Sequence, residues 1–227
     1  MENLILLIIL VRVAFVSIPV SMYLSVKNMA ASPALVQRDD LAPETIAALP
    51  VDVAAFLGVK GFKFLAAYSF HACRIGIWEQ QGSNVPRRLF SFSRTGLSRT
   101  TEFITEFSDD YSLTTTMTKA AFVFPRAYGS FMQSFPKASI QQLWDQHQRG
   151  EQFITSDLSV AVKPCRFSFA DAFPAGLLRQ MACIRSVPLW PIRGIYWFAL
   201  KRFLMQNRPI WTQNFASLYV KVPPYLG

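Results

Sequence analysis

The chain has 227 residues, of which 52% are hydrophobic and 14% aromatic, enough for one sizeable core or for a smaller core beside a membrane segment, and its positive mean hydropathy favours the second. Its formal charge of +9 is lopsided: residues 1 to 162 hold 14 Lys/Arg against 13 Asp/Glu, whereas residues 163 to 227 hold 9 against Asp171 alone. Cys73, Cys165 and Cys183 are too scattered for a zinc site and too few for a disulfide scaffold, so they read as small core or interface residues in a reducing compartment.

Residues 4 to 24 form an apolar run interrupted by Arg12 and Pro19. A bilayer-spanning helix needs about 20 such residues, while the apolar part of a secretory signal has about 7 to 15. Length therefore predicts a retained signal-anchor over residues 1 to 31, and no Lys or Arg precedes the run. Ala30 and Ala31 keep a cleaved signal open as the alternative. Arg12 near the middle of a span costs about 2.5 to 3.5 kcal/mol unless it snorkels or faces a partner helix. Lys27 and Arg38 follow the run and only Glu2 and the amino terminus precede it, so the positive-inside tendency places the rest of the chain on the cytoplasmic side.

Residues 32 to 50 carry no stable period and read as a linker, after which residues 51 to 162 read as an α+β domain. Asp52 caps a short helix through Ala54, Ala55, Phe56 and Leu57 that ends at Gly58 or Gly61. Residues 62 to 70, 73 to 78 and 88 to 93 are rich in aromatic and β-branched side chains, with a turn at 81 to 86 dividing the last two. Residues 101 to 107 and 111 to 117 alternate, and Ser108, Asp109 and Asp110 between them predict a hairpin turn. Phe103, Thr105 and Phe107 share its covered face, and Glu102, Ile104 and Glu106 its solvent face. The four at 73 to 78, 88 to 93, 101 to 107 and 111 to 117, in meander order, therefore make an antiparallel sheet, with a fifth at 130 to 135. Residues 139 to 150 predict a helix that starts at Ser139, stops at Gly150, and covers the sheet with Ile140, Leu143, Trp144 and His147. A weak strand is expected over 153 to 162. Residues 163 to 227 read as a basic, aromatic-rich helical segment in which Pro191 suits a first helical position.

The expected fold class is thus α+β: one N-terminal transmembrane helix, a four- to five-stranded antiparallel meander sheet covered by a helix, and a helical basic C-terminal segment. The order Leu57-Gly58-x-x-Gly61-Phe62, a meander, Glu102-Phe103 to Phe107-x-Asp109, Leu113-Thr-Thr115 and Leu143-Trp144-x-x-His147 resembles a loose group of uncharacterised bacterial proteins. In that group an N-terminal membrane helix precedes a small α+β domain. The resemblance spans about residues 57 to 150, departs from the group's turn where Asp110 replaces Gly, and implies an architecture without an activity.

Few residues invite catalysis. His147 on the apolar face of its helix reads as a packed or capping histidine. In a strand, His71 and Cys73 point to the same face. A nucleophile pair also needs an orienting third group, which the sequence does not place; an enzyme with a site near His71 and Cys73 is the rival reading. Glu102 and Glu106 stand roughly 13 Å apart at strand rise, wide of a glycosidase pair. Thr114, Thr115, Thr116 and Thr118 are ordinary strand residues. No metal-ligand cluster, phosphate loop or nucleotide fingerprint occurs, so no metal or cofactor is expected.

The charge distribution carries the functional content. Arg193, Lys201 and Arg202 confine the uninterrupted apolar run to 194 to 200, too short to span a bilayer but suited to a helix lying among lipid headgroups. Arg193, Tyr196, Trp197, Lys201, Arg202 and Phe203 are the expected contacts with a lipid bilayer or a membrane protein partner. Packing of that helix onto its own domain is the competing expectation. Nucleic acid is disfavoured, because such surfaces rarely need Ile192, Ile195, Phe198, Leu200 and Leu204 together. These features predict a membrane-anchored binding or scaffolding protein.

Overall fold

A computed structural model of the chain describes residues 35 to 80, 87 to 107, 111 to 160 and 168 to 221, with scattered helical positions between 13 and 31. Most of the apolar run 4 to 24, Ala30, the turns at 81 to 86 and 108 to 110, and Cys165 lie outside the described residues. No single helix among the described residues is long and apolar enough to cross a membrane.

Alternation of side chains builds a seven-stranded sheet in the order β1-β2-β3-β4-β5-β6-β8. The strands are β1 (Val36–Gln37), β2 (Phe62–Phe70), β3 (Cys73–Gln80), β4 (Arg87–Thr95), β5 (Ser98–Glu106), β6 (Ser112–Thr116) and β8 (Ser130–Ser134). Neighbours from β1 to β6 pair antiparallel, as meander order requires. The final strand differs from the antiparallel expectation: β8 runs parallel to β6, with Leu113 opposite Phe131 and Thr115 opposite Gln133. Parallel pairing needs a crossover of about a dozen residues, and residues 117 to 129 supply it. That crossover contains β7 (Arg126–Ala127), which pairs with β9 (Tyr219–Val220) in a separate two-stranded sheet.

Residues 36 to 47 are structured where the sequence suggested a linker. β1 adds to the edge of β2, Arg38 N–H donates to the Ala67 carbonyl, and α1 (Ala42–Ala47) begins with Pro at its N-terminus. Backbone pairing to an existing edge needs no apolar period, so no hydrophobic pattern marked it. The short helix α2 (Val51–Val59) forms where expected, but Pro50 is its N-cap and Asp52, expected to cap it, lies inside its first turn; Gly61 turns the chain into β2 at φ +74°.

Helix α3 (Ile140–Ser156) starts at Ser139, whose hydroxyl accepts from Gln142 N–H while the Gln142 side chain accepts from Ser139 N–H. It passes through Gly150 instead of stopping there, and it absorbs Phe153 and Ile154, which the sequence suggested as strand. Its buried positions explain why: Leu143, Trp144, His147, Gly150, Glu151 and Ile154 keep one face against the sheet. At Gly150 the helix backbone comes close to the sheet, since a Cβ there would meet Leu113 Cδ2 at 2.9 Å and Gln133 Nε2 at 3.0 Å.

Helix α4 (Phe169–Ser186) packs on the opposite face through Phe169, Phe173 and Leu177, so helices lie on both sides of the sheet. Leu57, Phe62, Phe90, Phe103 and Trp144 pack on the α3 side. Tyr68, Phe70, Ile77, Leu89 and Phe169 pack on the α4 side. A third cluster wraps the β8 edge and draws Met181, Ile184, Trp190, Trp197, Ile210 and Tyr219 from beyond residue 162. The C-terminal third is therefore part of the fold and not an appended segment. Tyr23 packs on this same cluster.

Gly-to-Ala in a helix interior ordinarily stabilises by about 1 kcal/mol, yet overpacking a core costs about 1 to 3 kcal/mol. Gly150→Ala is expected to lower the melting temperature by a few degrees, because Gln133 is pinned by hydrogen bonds and Leu113 is fully buried. Thermal unfolding followed by circular dichroism checks the sign, and an unchanged or raised temperature contradicts the close approach.

Candidate functional site

The polar residues of the α3 face form one buried chain. Arg88 donates from Nε and Nη2 to the two Glu151 oxygens at 2.7 Å each, and the Thr105 hydroxyl donates to Glu151 Oε1. Having given its proton to Glu151, Thr105 accepts from His147 Nε2–H at 2.8 Å. His147 Nδ1 must then accept from the Thr115 hydroxyl at 2.7 Å. The Thr115 oxygen accepts from Gln133 Nε2 at 2.8 Å, and Gln133 Oε1 accepts from Ile210 N–H at 3.1 Å. The whole chain fits one tautomer, neutral imidazole with its proton on Nε2. Burial lowers the His147 pKa to about 4 against the pull of Glu151, and Arg88 adds to the lowering. His147 is fully buried and engaged on both nitrogens, which agrees with a packed histidine and leaves it out of reach of a substrate.

Across the sheet, a cleft of about 310 Å³ lies between the strands and α4. Cross-strand register lays its floor in rows. Glu106 stands opposite Ser112 and Ser112 opposite Ser130, while Ile104 stands opposite Thr114 and Thr114 opposite Met132; Glu102 enters beside them. Phe169, Phe173, Gly176, Leu177 and Gln180 of α4 form the roof. The expectation that Glu102 and Glu106 face solvent is thereby corrected. Alternation placed them on the face opposite Phe103 correctly, but α4 covers that face. Arg87 bridges Glu79 at 3.1 Å and Glu106 at 3.5 Å. Desolvation raises the Glu102 pKa, opposed by a hydrogen bond from Thr116 and by the Arg126 charge. Desolvation lowers that of Arg126, opposed by Glu102.

Arg126 reaches the cleft from the crossover. Its Nη2 donates to the Ala121 carbonyl at 3.2 Å and lies 2.9 Å from Met132 Sδ. None of the ion pairs among the described residues includes it. Sequence reasoning missed Arg126, because nothing local to an isolated Arg in a crossover marks it as facing a cleft.

The helical segment from 190 to 204 begins as α5 (Trp190–Tyr196), continues through a π-helical turn (Trp197–Lys201), and ends with Arg202–Leu204. Trp190, Trp197 and Met205 are buried in the β8-edge cluster. The opposite side exposes Leu189 at 72%, Tyr196 at 48%, Leu200 at 47% and Phe203 at 52% of their surface, with Leu204 alongside. Arg193 is exposed on the same side, and Lys201 and Arg202 flank it half-buried. The Arg202 guanidinium lies over the Phe198 ring at 4.0 Å and the Phe203 ring at 4.4 Å from the centroids. Five of the six expected contact residues therefore stand at or beside this surface. Trp197 does not, and is a core residue. Leu189, Leu200 and Leu204 belong to the stripe; Leu189 stands four residues before Arg193, Leu200 four after Tyr196 and Leu204 four after Leu200, and those steps were the available signal.

His71 and Cys73 do not share the strand face that alternation assigned them. His71 occupies the β2–β3 turn at φ +50°, exposed and edge-on to Phe70, so strand alternation does not align it with Cys73. Cys73 Sγ donates to the Arg74 carbonyl at 3.7 Å, and Cys73 packs against the cluster of Tyr68, Phe70 and Ile77. Among the described residues no group of three or more His, Cys, Asp or Glu is placed to hold a metal ion. No family model matches the chain, and neither a curated protein nor a solved structure matches it.

His147 gives the protein a defined acid response. Its pKa in the folded chain lies below the ordinary value near 6.5, so its contribution to stability is complete above pH 6.5 and is lost as the unfolded imidazole gains its proton on descent towards pH 4. The loss is about 3 kcal/mol. Glu102, raised by burial, acts in the opposite direction, so the comparison must be between wild type and His147→Gln, in which Glu102 is common to both. The stability difference between the two proteins should shrink by about that amount from pH 7 to pH 4; a difference independent of pH contradicts a buried neutral histidine.

Proposed function

We propose that this chain is a membrane-anchored binding protein whose segment 190 to 204 lies on the surface of an anionic bilayer. The observation that carries the reading is the two-sidedness of that segment. Its tryptophans and Met205 are committed to the core, while Leu189, Tyr196, Leu200, Phe203 and Leu204 form an exposed stripe edged by Arg193, Lys201 and Arg202. Apolar side chains beside cations match an interface with hydrocarbon below and negative headgroups around. Each Lys or Arg near such a surface adds about 1 kcal/mol. Residues 172 to 227 contain no Asp or Glu, so no acidic side chain among them opposes an anionic leaflet.

The N-terminal run belongs to the same reading. Tyr23, near its end, packs on the cluster that also holds Trp190 and Trp197, so an anchor leaving the membrane there and a helix resting on the membrane would meet one face of the domain. Membership of the loose bacterial group of anchored α+β proteins, with the domain on the cytoplasmic side, is part of this proposal.

The test uses the full chain in lipid nanodiscs and a Leu204→Cys variant alkylated by a membrane-impermeant maleimide, read by peptide mass spectrometry. Alkylation should slow by about fivefold or more when phosphatidylcholine is replaced by a mixture rich in phosphatidylglycerol, and should recover in about 0.5 M salt. Equal rates in both lipids would sink the proposal, and protection in both that ignores salt would point to a protein partner or an uncharged contact.

A further inference from the structure

The cleft beneath α4 shares no residue with the exposed stripe. We infer that it is a binding site for a small neutral polyol the size of a single sugar ring, held by hydroxyl groups on the strands with its apolar face against the helix. The face of a sheet beneath a helix is ordinarily apolar, and towards β2 and β3 this one is, where Tyr68, Phe70, Ile75 and Ile77 cluster with Phe169. Towards β5, β6 and β8 it turns polar. Glu106, Ser112 and Ser130 form one cross-strand row, and Thr114 stands in the next, between Ile104 and Met132. In the row beyond, Thr116 donates to the Thr101 carbonyl at 3.4 Å and Ser134 to the Thr118 carbonyl at 2.6 Å. The hydroxyls of Ser112, Thr114 and Ser130, which line the cleft, make no hydrogen bond to the described residues. Each can donate and accept, so a neighbouring set of them matches a ligand that carries several hydroxyls of its own.

Charge points to a neutral ligand. Each carboxylate of the cleft already has a guanidinium beside it: Glu106 lies 3.5 Å from Arg87, and the charges of Glu102 and Arg126 offset one another. A charged ligand would compete with one of these pairings, whereas a hydroxyl can donate to the carboxylate and accept from the guanidinium without displacing either. The roof supplies the other half of the match. Phe173 and Leu177 line the cleft half-buried, an apolar surface for the C–H face of a ring. Gln180 donates from Nε2 to the Pro125 carbonyl at 2.6 Å, which fixes its amide, and its Oε1 remains to accept. The volume of about 310 Å³ is at the lower end for small-molecule pockets, as a single ring requires.

Ligand-observed NMR on the full chain in nanodiscs at neutral pH tests the site, with methyl β-glucoside as the probe and cyclohexanol, glucuronate and glucosamine beside it. The glucoside should bind with a dissociation constant of about 1 mM or tighter. Cyclohexanol, which keeps an apolar ring and a single hydroxyl, should bind at least about tenfold more weakly. Neither the glucuronate anion nor the glucosamine cation should bind more tightly than the neutral glucoside. Thr114→Val keeps the branched shape and suits a strand while removing one hydroxyl, and Ser112→Ala removes another. Each should weaken the glucoside by about fivefold with the circular dichroism spectrum unchanged. No glucoside binding, cyclohexanol of equal affinity, or glucoside binding that ignores both substitutions overturns the site. A charged analogue preferred by about tenfold or more overturns the neutral ligand. The lipid dependence of the Leu204→Cys label is read separately, so failure of either proposal leaves the other standing.

Discussion

The fold depends on the hydrogen-bond chain that runs from Arg88 through Glu151, Thr105, His147 and Thr115 to Gln133 and the Ile210 backbone. Each group in it is buried or nearly so, and each would carry a desolvation cost of about 1 to 3 kcal/mol if its partner moved away. The chain crosses β4, β5, β6 and β8 and returns twice to α3. A one-residue slip of β5 or β6 would turn Thr105 or Thr115 to the other face and leave the imidazole with an empty nitrogen, and a slip of β4 or β8 would take Arg88 or Gln133 out of the chain. Hydrophobic burial drives α3 onto the sheet through Leu143, Trp144 and Ile154, but burial is indifferent to register. The polar chain is not.

From that constraint the rest of the molecule follows. Pinning β8 parallel to β6 forces the crossover at 117 to 129, which carries Arg126 over to the α4 side. Anchoring Ile210 to Gln133 fixes the end of the C-terminal segment, so that Trp190, Trp197 and Met205 close the β8 edge and the remaining helix surface faces outward. The cleft and the exposed stripe are thus two products of one arrangement, built on elements whose positions the α3 face sets.

How much of this the sequence disclosed depended on the range of the interaction. Ser139 and Gln142 declare the start of α3 within four residues, and the β5 and β6 alternation is equally local; both were legible. Gly150 looked like a stop because a helix-ending glycine and a glycine of close approach are the same letter, and only Leu113 and Gln133, distant in sequence, distinguish them. Glu102 and Glu106 looked solvated for a related reason. Alternation assigns a residue to a face, but whether that face is covered is decided some 70 residues later by α4. His147 was legible as a core residue and not as a member of a proton-ordered chain, since its partners Thr105 and Thr115 are ordinary strand residues when read singly.

The two faces of the sheet also differ in how completely they are filled, and the difference has a physical origin. On the α3 side, large rings interlock: Trp144 lies 5.0 Å from Phe103 and 5.7 Å from Phe62 between centroids, and a glycine lets the helix settle to contact. On the α4 side the helix contains Pro174 and Gly176, both poor in a helix interior, and is held by other means. Ser168 accepts from Asp171 N–H and donates to its carboxylate, while Arg179 and Gln180 donate to the Tyr128 and Pro125 carbonyls of the crossover. A helix secured at its start and along its second half need not be pressed flat against the strands between those points. The cleft between Phe173, Gly176 and the Glu102 row opens along the stretch of helix between the Ser168 cap and the Arg179 and Gln180 contacts.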